Sequence, residues 1–320
     1  MARLEIGYLL PTRDQAVLGE HEPGRLVGQA RRAEALGFDS VWAGDSPVTR
    51  PRADPLLLLA AAAQATERVT LGTAVLLPAL RHPILLAHQL ATLDRLSDGR
   101  LIAGMGGGFP NPNTRAQFAA VAIAFASRTS RMEESIHAMR RLWSGDAVSH
   151  QGRHFTFNDV RLAPRPSRPE GPPIWLAGSG GPALRRVARL ADGWLPYPPT
   201  ATMYAQEHDL LREVGEEAGT PRRPVTPALY ATLCLDKDPQ HARQRLQTSI
   251  ERYYNAPLES VASIQAMFAG TAGQAADWLH RYVAAGARHL VIRLATDDHD
   301  SGLEEFAARV LPLLRKEESR

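Results

Sequence analysis

Short apolar runs alternate with longer segments in which apolar residues recur every three or four positions, and this alternation runs through most of the chain. Leu4–Leu10 reads as a first strand. Pro23–Leu36 reads as a helix with Leu26, Ala30, Ala33 and Leu36 on one face, stopped by Gly37. Phe38–Ala43 is a second strand, ending at Gly44-Asp45-Ser46. Asp54–Ala65 is a helix, with Asp54 placed to cap it and Pro55 suited to its first turn. Val69–Leu76 is a third strand and almost wholly apolar, as expected of a strand covered on both faces. His82–Leu96 is helical, Gly99 breaks it, and Arg100–Met105 is a fourth strand running into Gly106-Gly107-Gly108. Thr129–Trp143 is a long helix.

The rhythm breaks between Gly145 and Pro172. There His150–His154 reads as a turn between two β-like runs, followed by a proline-rich stretch from Pro164 to Pro173. This predicts an inserted hairpin and loop, a kind of insertion that often serves as a lid. The alternation resumes with a fifth strand at Pro173–Ala177, a glycine-rich turn at Gly178-Ser179-Gly180-Gly181 and a helix at Pro182–Leu190. A sixth strand at Asp192–Leu195, a helix at Met203–Ala218 and a seventh strand at Thr226–Leu235 follow. Pro239–Tyr254 is helical, an irregular piece separates it from a helix at Thr271–Ala284, and Arg288–Leu294 and Ser301–Leu314 are the eighth strand and closing helix. Eight strands, each followed by helix, predict an α/β protein: a (β/α)8 TIM barrel, one domain over residues 1–320 with an insertion at about 145–172.

Charge narrows the function classes. The 37 Lys and Arg residues against 34 Asp and Glu give a net charge of only +3, and the basic residues are scattered, which argues against nucleic acid. No segment approaches the ~20 apolar residues of a membrane span. The apolar run at the N-terminus reaches Pro11 too soon for a signal peptide, so a cytoplasmic location is expected. Cys234 is the only cysteine, which excludes an intrachain disulfide, and inside a strand it reads as a buried structural thiol. The 11 histidines form no H-x-H or H-E-x-x-H pattern, so no metal site is expected, and no Gly-x-Ser-x-Gly elbow supports a hydrolase.

Barrels of this type work at the C-terminal ends of their strands. That rule selects Asp45 and Ser46, Ala74-Val75-Leu76, Gly106 and Gly107, Gly178-Ser179-Gly180, Trp194 with Tyr197, and Arg293. The backbone N–H groups of Gly178-Ser179-Gly180 ahead of a helix suit a phosphate, although a plain βα turn needs the same glycines. Gly106 and Gly107 would let something flat approach the backbone; a flexible turn is the alternative. Two glycine-rich exits with few charges around them suit a large planar cofactor. Arg293, closing an apolar strand, should point into the mouth as an anion or substrate contact, with a structural ion pair as the alternative. His82 and His88 read as capping or packing residues, and Trp143 and Trp278 as helix-face core.

Several stretches resemble the luciferase-like family of flavin-dependent oxidoreductases: Gly37-Phe38-Asp39-Ser40-Val41-Trp42, Thr66 to Val75, Arg81-His82-Pro83 through Leu93-Asp94, Ser97-Asp98-Gly99-Arg100 with Gly104-Met105-Gly106, and Ala191-Asp192-Gly193-Trp194. Glu251-Arg252-Tyr253-Tyr254 and Ala285-Gly286-Ala287-Arg288-His289 are most similar to an actinobacterial branch that is deazaflavin-dependent. The resemblance implies an isoalloxazine or deazaflavin ring in the barrel mouth, a small-molecule substrate and a homodimer. It implies a non-proline cis peptide at Ala74-Val75 against the ring, cofactor phosphate at Gly178 to Gly180, and ring contact from Asp45. The cofactor implied is the deazaflavin coenzyme F420, used for hydride transfer. The alternatives are a two-component FMN monooxygenase fed by a flavin reductase, and a flavin-binding barrel without turnover. Sugar-phosphate dehydrogenases of the branch carry a histidine and a glutamate where this chain has Ser46 and Phe109, neither a strong acid or base. This favours hydride transfer to an activated C=C or C=N bond, or oxygen activation in a dry pocket. Ser46, Tyr197 and Arg293 are assigned to the substrate side, and Phe109, Trp194, Leu76 and Tyr197 to an apolar wall.

Overall fold

The computed structural model describes residues 3–49, 52–217 and 224–316. Its eight parallel strands are β1 (Glu5–Leu9), β2 (Ser40–Ala43), β3 (Thr70–Thr73), β4 (Leu101–Met105), β5 (Ile174–Leu176), β6 (Gly193–Trp194), β7 (Thr226–Leu235) and β8 (His289–Leu294). Neighbours pair in chain order, and β8 pairs with both β7 and β1, which closes the barrel. The predicted TIM barrel is therefore present. The helices between strands begin where the sequence says they should. Asp54 accepts from the Leu56 and Leu57 amides with Pro55 behind it, His82 Nδ1 accepts from Ile84 N, and Thr271 and Gln274 form a reciprocal capping box. Gly37 takes φ 91° after helix Gly24–Ala35, a conformation other residues rarely adopt. The helix expected at Met203–Ala218 covers Ala201–Glu217, and Ala218 lies outside the described residues. Among the described residues no helix is long and apolar enough to cross a membrane.

Two differences bear on the site. β3 stops at Thr73 rather than Leu76: the Ala74–Val75 peptide is cis, and Leu76 rejoins the sheet only through a bridge to Met105. The segment before helix Ala272–Ala284 is not wholly irregular. Met267–Gly270 adds a parallel strand to the C-terminal half of β7, beyond the point where β6 has ended.

The barrel interior is filled by aromatic rings. Trp42 and Trp175 lie with centroids 5.3 Å apart, and glycines across the barrel make room for them. A Cβ on Gly72 would come within 2.1 Å of a Trp42 ring carbon, and one on Gly193 within 2.4 Å of Trp175. Below them a polar chain closes the floor. Trp42 Nε1 donates to Ser40 Oγ (2.7 Å), Ser40 Oγ lies 2.7 Å from His289 Nε2, and His289 Nδ1 lies 3.0 Å from the Glu5 carboxylate. One tautomer satisfies every link, with His289 donating from Nδ1 and accepting at Nε2. With its floor packed and hydrogen-bonded, the barrel can admit a ligand only at its other end.

The inserted hairpin is formed by Val148–Gln151 and Thr156–Val160. Glu134, on helix Arg128–Trp143, pins it by accepting from the His154 and Phe155 amides at 3.0 and 2.9 Å and lying 3.2 Å from His150 Nε2.

Two outcomes follow. Gly72→Ala should lower stability by roughly 1–3 kcal/mol through overpacking against Trp42, read as a fall in the denaturation midpoint; an unchanged midpoint would mean the interior has slack. Burial pushes the Glu134 carboxyl up, but the His150, His154 and Phe155 hydrogen bonds outweigh it and the net direction is down. The anchor is therefore in place above the ordinary carboxylate range and lost as pH falls through the lowered value. Hydrogen exchange should show hairpin amides opening in that acidic window in the wild type and already at neutral pH in Glu134→Ala.

Candidate active site

At the C-terminal rim, β2 and β3 deliver the first group of residues. The Asp45 side chain is 1% exposed, and its oxygens accept from Leu77 N (3.0 Å) and from both terminal nitrogens of Arg81. Its carboxylate thus braces the loop that follows the cis peptide. Ser46 Oγ lies against the Thr49 carbonyl and 3.1 Å from Gln117 Oε1, so its hydroxyl is engaged within the chain. Ala74 and Val75 pack onto the top of the interior aromatic layer, where they are half-buried. A Cβ on Gly106 would come within 2.7 Å of Val75 Cγ2, so the close approach at this glycine is made by Val75. Gly107 is less crowded, with Thr129 Oγ1 3.6 Å from the place of a Cβ.

The β5 exit is built differently. Gly178 and Gly180 take φ of 135° and 81°, and helix Gly181–Leu190 starts from Gly180 with no side-chain cap. Ser179 is exposed. The Gly180 N–H donates to Glu207 Oε1 at 3.0 Å, so a carboxylate already sits on this N-terminus, as the local dipole favours. Trp194 is fully buried, packs tilted against Tyr204 with centroids 5.2 Å apart, and donates from Nε1 to the Gly178 carbonyl (2.9 Å). This corrects its expected place in the mouth wall: Trp194 supports the glycine loop from behind, because it is Gly193 that faces the interior. Leu76 is likewise core, and Phe109 is 46% exposed.

Around the end of β8 lies a cluster of arginines and tyrosines. Arg293, at the end of β8, is 1% exposed; its Nη2 donates to Asp14 Oδ1 (2.7 Å) and Ser249 Oγ (3.0 Å), and its guanidinium stands 3.9 Å from the Tyr253 ring centroid. Arg293 thus makes the structural ion pair that was the alternative reading, because Asp14 follows β1, the strand beside β8. Arg293 Nε and Nη1 nevertheless have no hydrogen-bond partner, nor do Arg13 Nε, Arg52 Nε and Thr232 Oγ1. Arg13 stands 4.5 Å from the same Tyr253 ring. Arg52 crosses Gly44, where a Cβ would collide with its Nη1; the Ala74 carbonyl oxygen lies 3.3 Å from the same point. Burial, with Tyr254 nearby, pushes the Tyr197 phenol up to about 12. Cys234 is buried and its thiol is pushed up to about 11, chiefly by burial, in keeping with a structural role.

A family model described as luciferase-like monooxygenase matches residues 4–289. The chain belongs to the luciferase-like monooxygenase family. Its relatives include the F420-dependent glucose-6-phosphate dehydrogenases of Intrasporangium calvum, 31% identical over 92% of this chain and 95% of the relative, and of Kineococcus radiotolerans, 30% identical over 98% and 97%. Among solved structures, monooxygenase RslO1 from Streptomyces bottropensis superposes with a TM-score of 0.81 at 27% identity, covering 97% of this chain and 99% of that one. An F420-dependent secondary alcohol dehydrogenase superposes with a TM-score of 0.80 at 22% identity, covering 98% and 99%, and shares the fold. Within this luciferase-like barrel, the cis peptide stands where the resemblance led one to expect it.

Sequence reasoning picked out the rim loops of β2 to β5 and, on the arginine–tyrosine side, Arg293 and Tyr197, but missed Arg13, Arg52, Tyr253 and Tyr254. Arg13 lies just beyond the β1 exit, which was the available signal; Tyr253 and Tyr254 entered only as part of the branch resemblance, with no role attached. One consequence concerns Asp45. Asp45→Ala leaves Leu77 N without its acceptor and Arg81 with only the 3.5 Å contacts to Asp54 and the Leu77 carbonyl, and should cost roughly 1–3 kcal/mol, measured by denaturant unfolding; an unchanged midpoint would mean that the pair is solvated.

Proposed function

We propose that the protein is an oxidoreductase that uses coenzyme F420 to move a hydride to or from a small organic substrate. The observation that carries this reading is the near-full-length similarity to F420-dependent relatives. The rim is compatible with such a group. Buried guanidinium N–H donors without acceptors are gathered on one side of it, and two glycine-rich exits follow β4 and β5. In this reading Ala74 and Val75 lie against the ring, with Asp45 supporting them through Leu77 and Arg81. Gly178, Ser179 and Gly180 hold phosphate, with Glu207 giving way, and Gly106 and Gly107 keep the loop beside Val75 compact. Ser46, Tyr197 and Arg293 face the substrate. When bound, a reduced deazaflavin supplies a hydride; the chain supplies orientation, charge and exclusion of water.

The relatives' sugar-phosphate chemistry is not carried over. Ser46 is tied to Thr49 and Gln117, and Phe109 has no proton to give. A second reading, an FMN-dependent monooxygenase with a partner flavin reductase, is favoured by the likeness to monooxygenase RslO1. We further propose that the whole chain works as one barrel domain, as a cytoplasmic homodimer.

Fluorescence titration of the purified protein separates these readings. F420 should bind at least about tenfold more tightly than FMN, a difference of about 1.4 kcal/mol. Tight binding of FMN alone would transfer the assignment to the monooxygenase reading, and binding of neither would end the cofactor assignment.

A further inference from the structure

Hydride transfer to or from a C=O, C=N or activated C=C bond requires a proton to move as well. Ser46 has only a weakly acidic hydroxyl, engaged within the chain, Phe109 has none, and the Tyr197 phenol is raised to about 12. Tyr253 differs from all of these. It lies in the last turn of helix Pro239–Tyr254 and is 5% exposed. Arg293 stands 3.9 Å and Arg13 4.5 Å from its ring centroid, and Arg52, which crosses Gly44, adds a third positive charge near the same residue. The carboxylate facing this group is Asp14, and it is already bound to Arg293. The other titratable neighbours are Tyr254, its ring centroid 4.7 Å away, and Tyr230 on β7. Among the described residues, Arg293 and Arg13 thus flank the Tyr253 ring, Arg52 acts on it electrostatically, and Asp14 is the carboxylate beside them. Cations at this range favour the ionised form of an acid, and cation–π contact with a ring grows stronger when that ring carries negative charge.

We propose that Tyr253 is the proton-transfer residue of this site, its phenolate held by Arg13, Arg52 and Arg293. The inference rests on the oxidoreductase reading above. In the reductive direction the substrate carbon gains the hydride from the reduced deazaflavin. The Tyr253 O–H bond then breaks, its proton bonds to the substrate atom that has gained the electron pair, and the O–H pair stays on Tyr253 Oη. Solvent later reprotonates the phenolate. In the oxidative direction Tyr253 takes the proton as the substrate carbon loses its hydride to the oxidised cofactor. Burial alone pushes this phenol up, but Arg52, Arg13 and Arg293 outweigh it and the net direction is down. Tyr254 and Tyr230 beside it are raised, burial being the largest cause. The reductive rate, which needs the protonated form, should fall as pH rises through the lowered value, and the oxidative rate should rise through it.

The test needs no cofactor in its first arm. Tyrosinate absorbance of the unliganded protein should show a one-residue step below the ordinary tyrosine midpoint of about 10. The step should be absent in Tyr253→Phe, retained in Arg52→Lys and moved upward in Arg52→Gln. In the second arm, oxidation of enzyme-bound reduced F420 by cyclohex-2-enone should be roughly 10²–10⁴-fold slower in Tyr253→Phe, with enone affinity little changed and the high-pH limb gone. A Tyr253→Phe titration that superimposes on the wild type, or an unaltered rate and pH profile in that variant, overturns the proposal. Failure of F420 to bind would instead strike the cofactor assignment, because the tyrosinate step is read without it.

Discussion

A guanidinium removed from water loses several kcal/mol of hydration, and Arg293 sits at the top of β8 with 1% of its surface exposed. Its compensation comes from three separate parts of the chain. Asp14 arrives with helix Thr12–Val17, Ser249 and Tyr253 with helix Pro239–Tyr254, and Arg293 itself with the last barrel strand. Barrel closure makes this possible, since β8 pairs directly with β1 and brings residues 279 positions apart into an ion pair. The rim on this side is therefore held by one buried charge, and moving any of the three elements would strand it. Arg13 and Arg52 add further positive charge on this side of the barrel.

The opposite rim is held in a comparable way. Asp45, buried after β2, grips Arg81 and the Leu77 amide and so fixes the loop that carries the cis Ala74–Val75 peptide. Between the two rims the barrel is solid. Trp42 and Trp175 fill it, and the Trp42–Ser40–His289–Glu5 chain satisfies its buried polar atoms. A planar ligand can neither sink into the barrel nor enter from below. In the proposed function it lies across the rim, with the Ala74–Val75 peptide on one side and the arginine–tyrosine cluster on the other.

The architecture was legible because strand and helix periods differ, and because Gly37, Asp54, His82 and Gly178 to Gly180 punctuate them with residues whose conformations or capping groups are specific. The strand Met267–Gly270 was not, since four apolar residues ahead of a helix carry no period of their own. The end of β3 was not either: Ala74-Val75-Leu76 continues the apolar run that the cis peptide interrupts. For the site, the rule that barrel chemistry sits at strand exits picked out Asp45, Ala74, Val75 and the glycine loop. It could not tell that Asp45 faces Arg81, because that pairing depends on how the β3 loop folds back. Arg293 was recognised as an unusual charge, but its partner Asp14 lies on a six-residue helix too short to announce itself. Tyr253 and Arg52 gain meaning only from neighbours that are remote in sequence.

The central claim is that a deazaflavin ring occupies the space between the Ala74–Val75 peptide and the cluster around Tyr253. A crystal structure of the protein soaked with coenzyme F420 measures this directly. The expected result is ring density against Ala74 and Val75, the phosphate at Gly178 to Gly180 with Glu207 displaced from the Gly180 amide, and Tyr253 facing the space beside the ring. Cofactor density elsewhere on the surface, or a rim unchanged with Glu207 still on Gly180 at saturating F420, would contradict it.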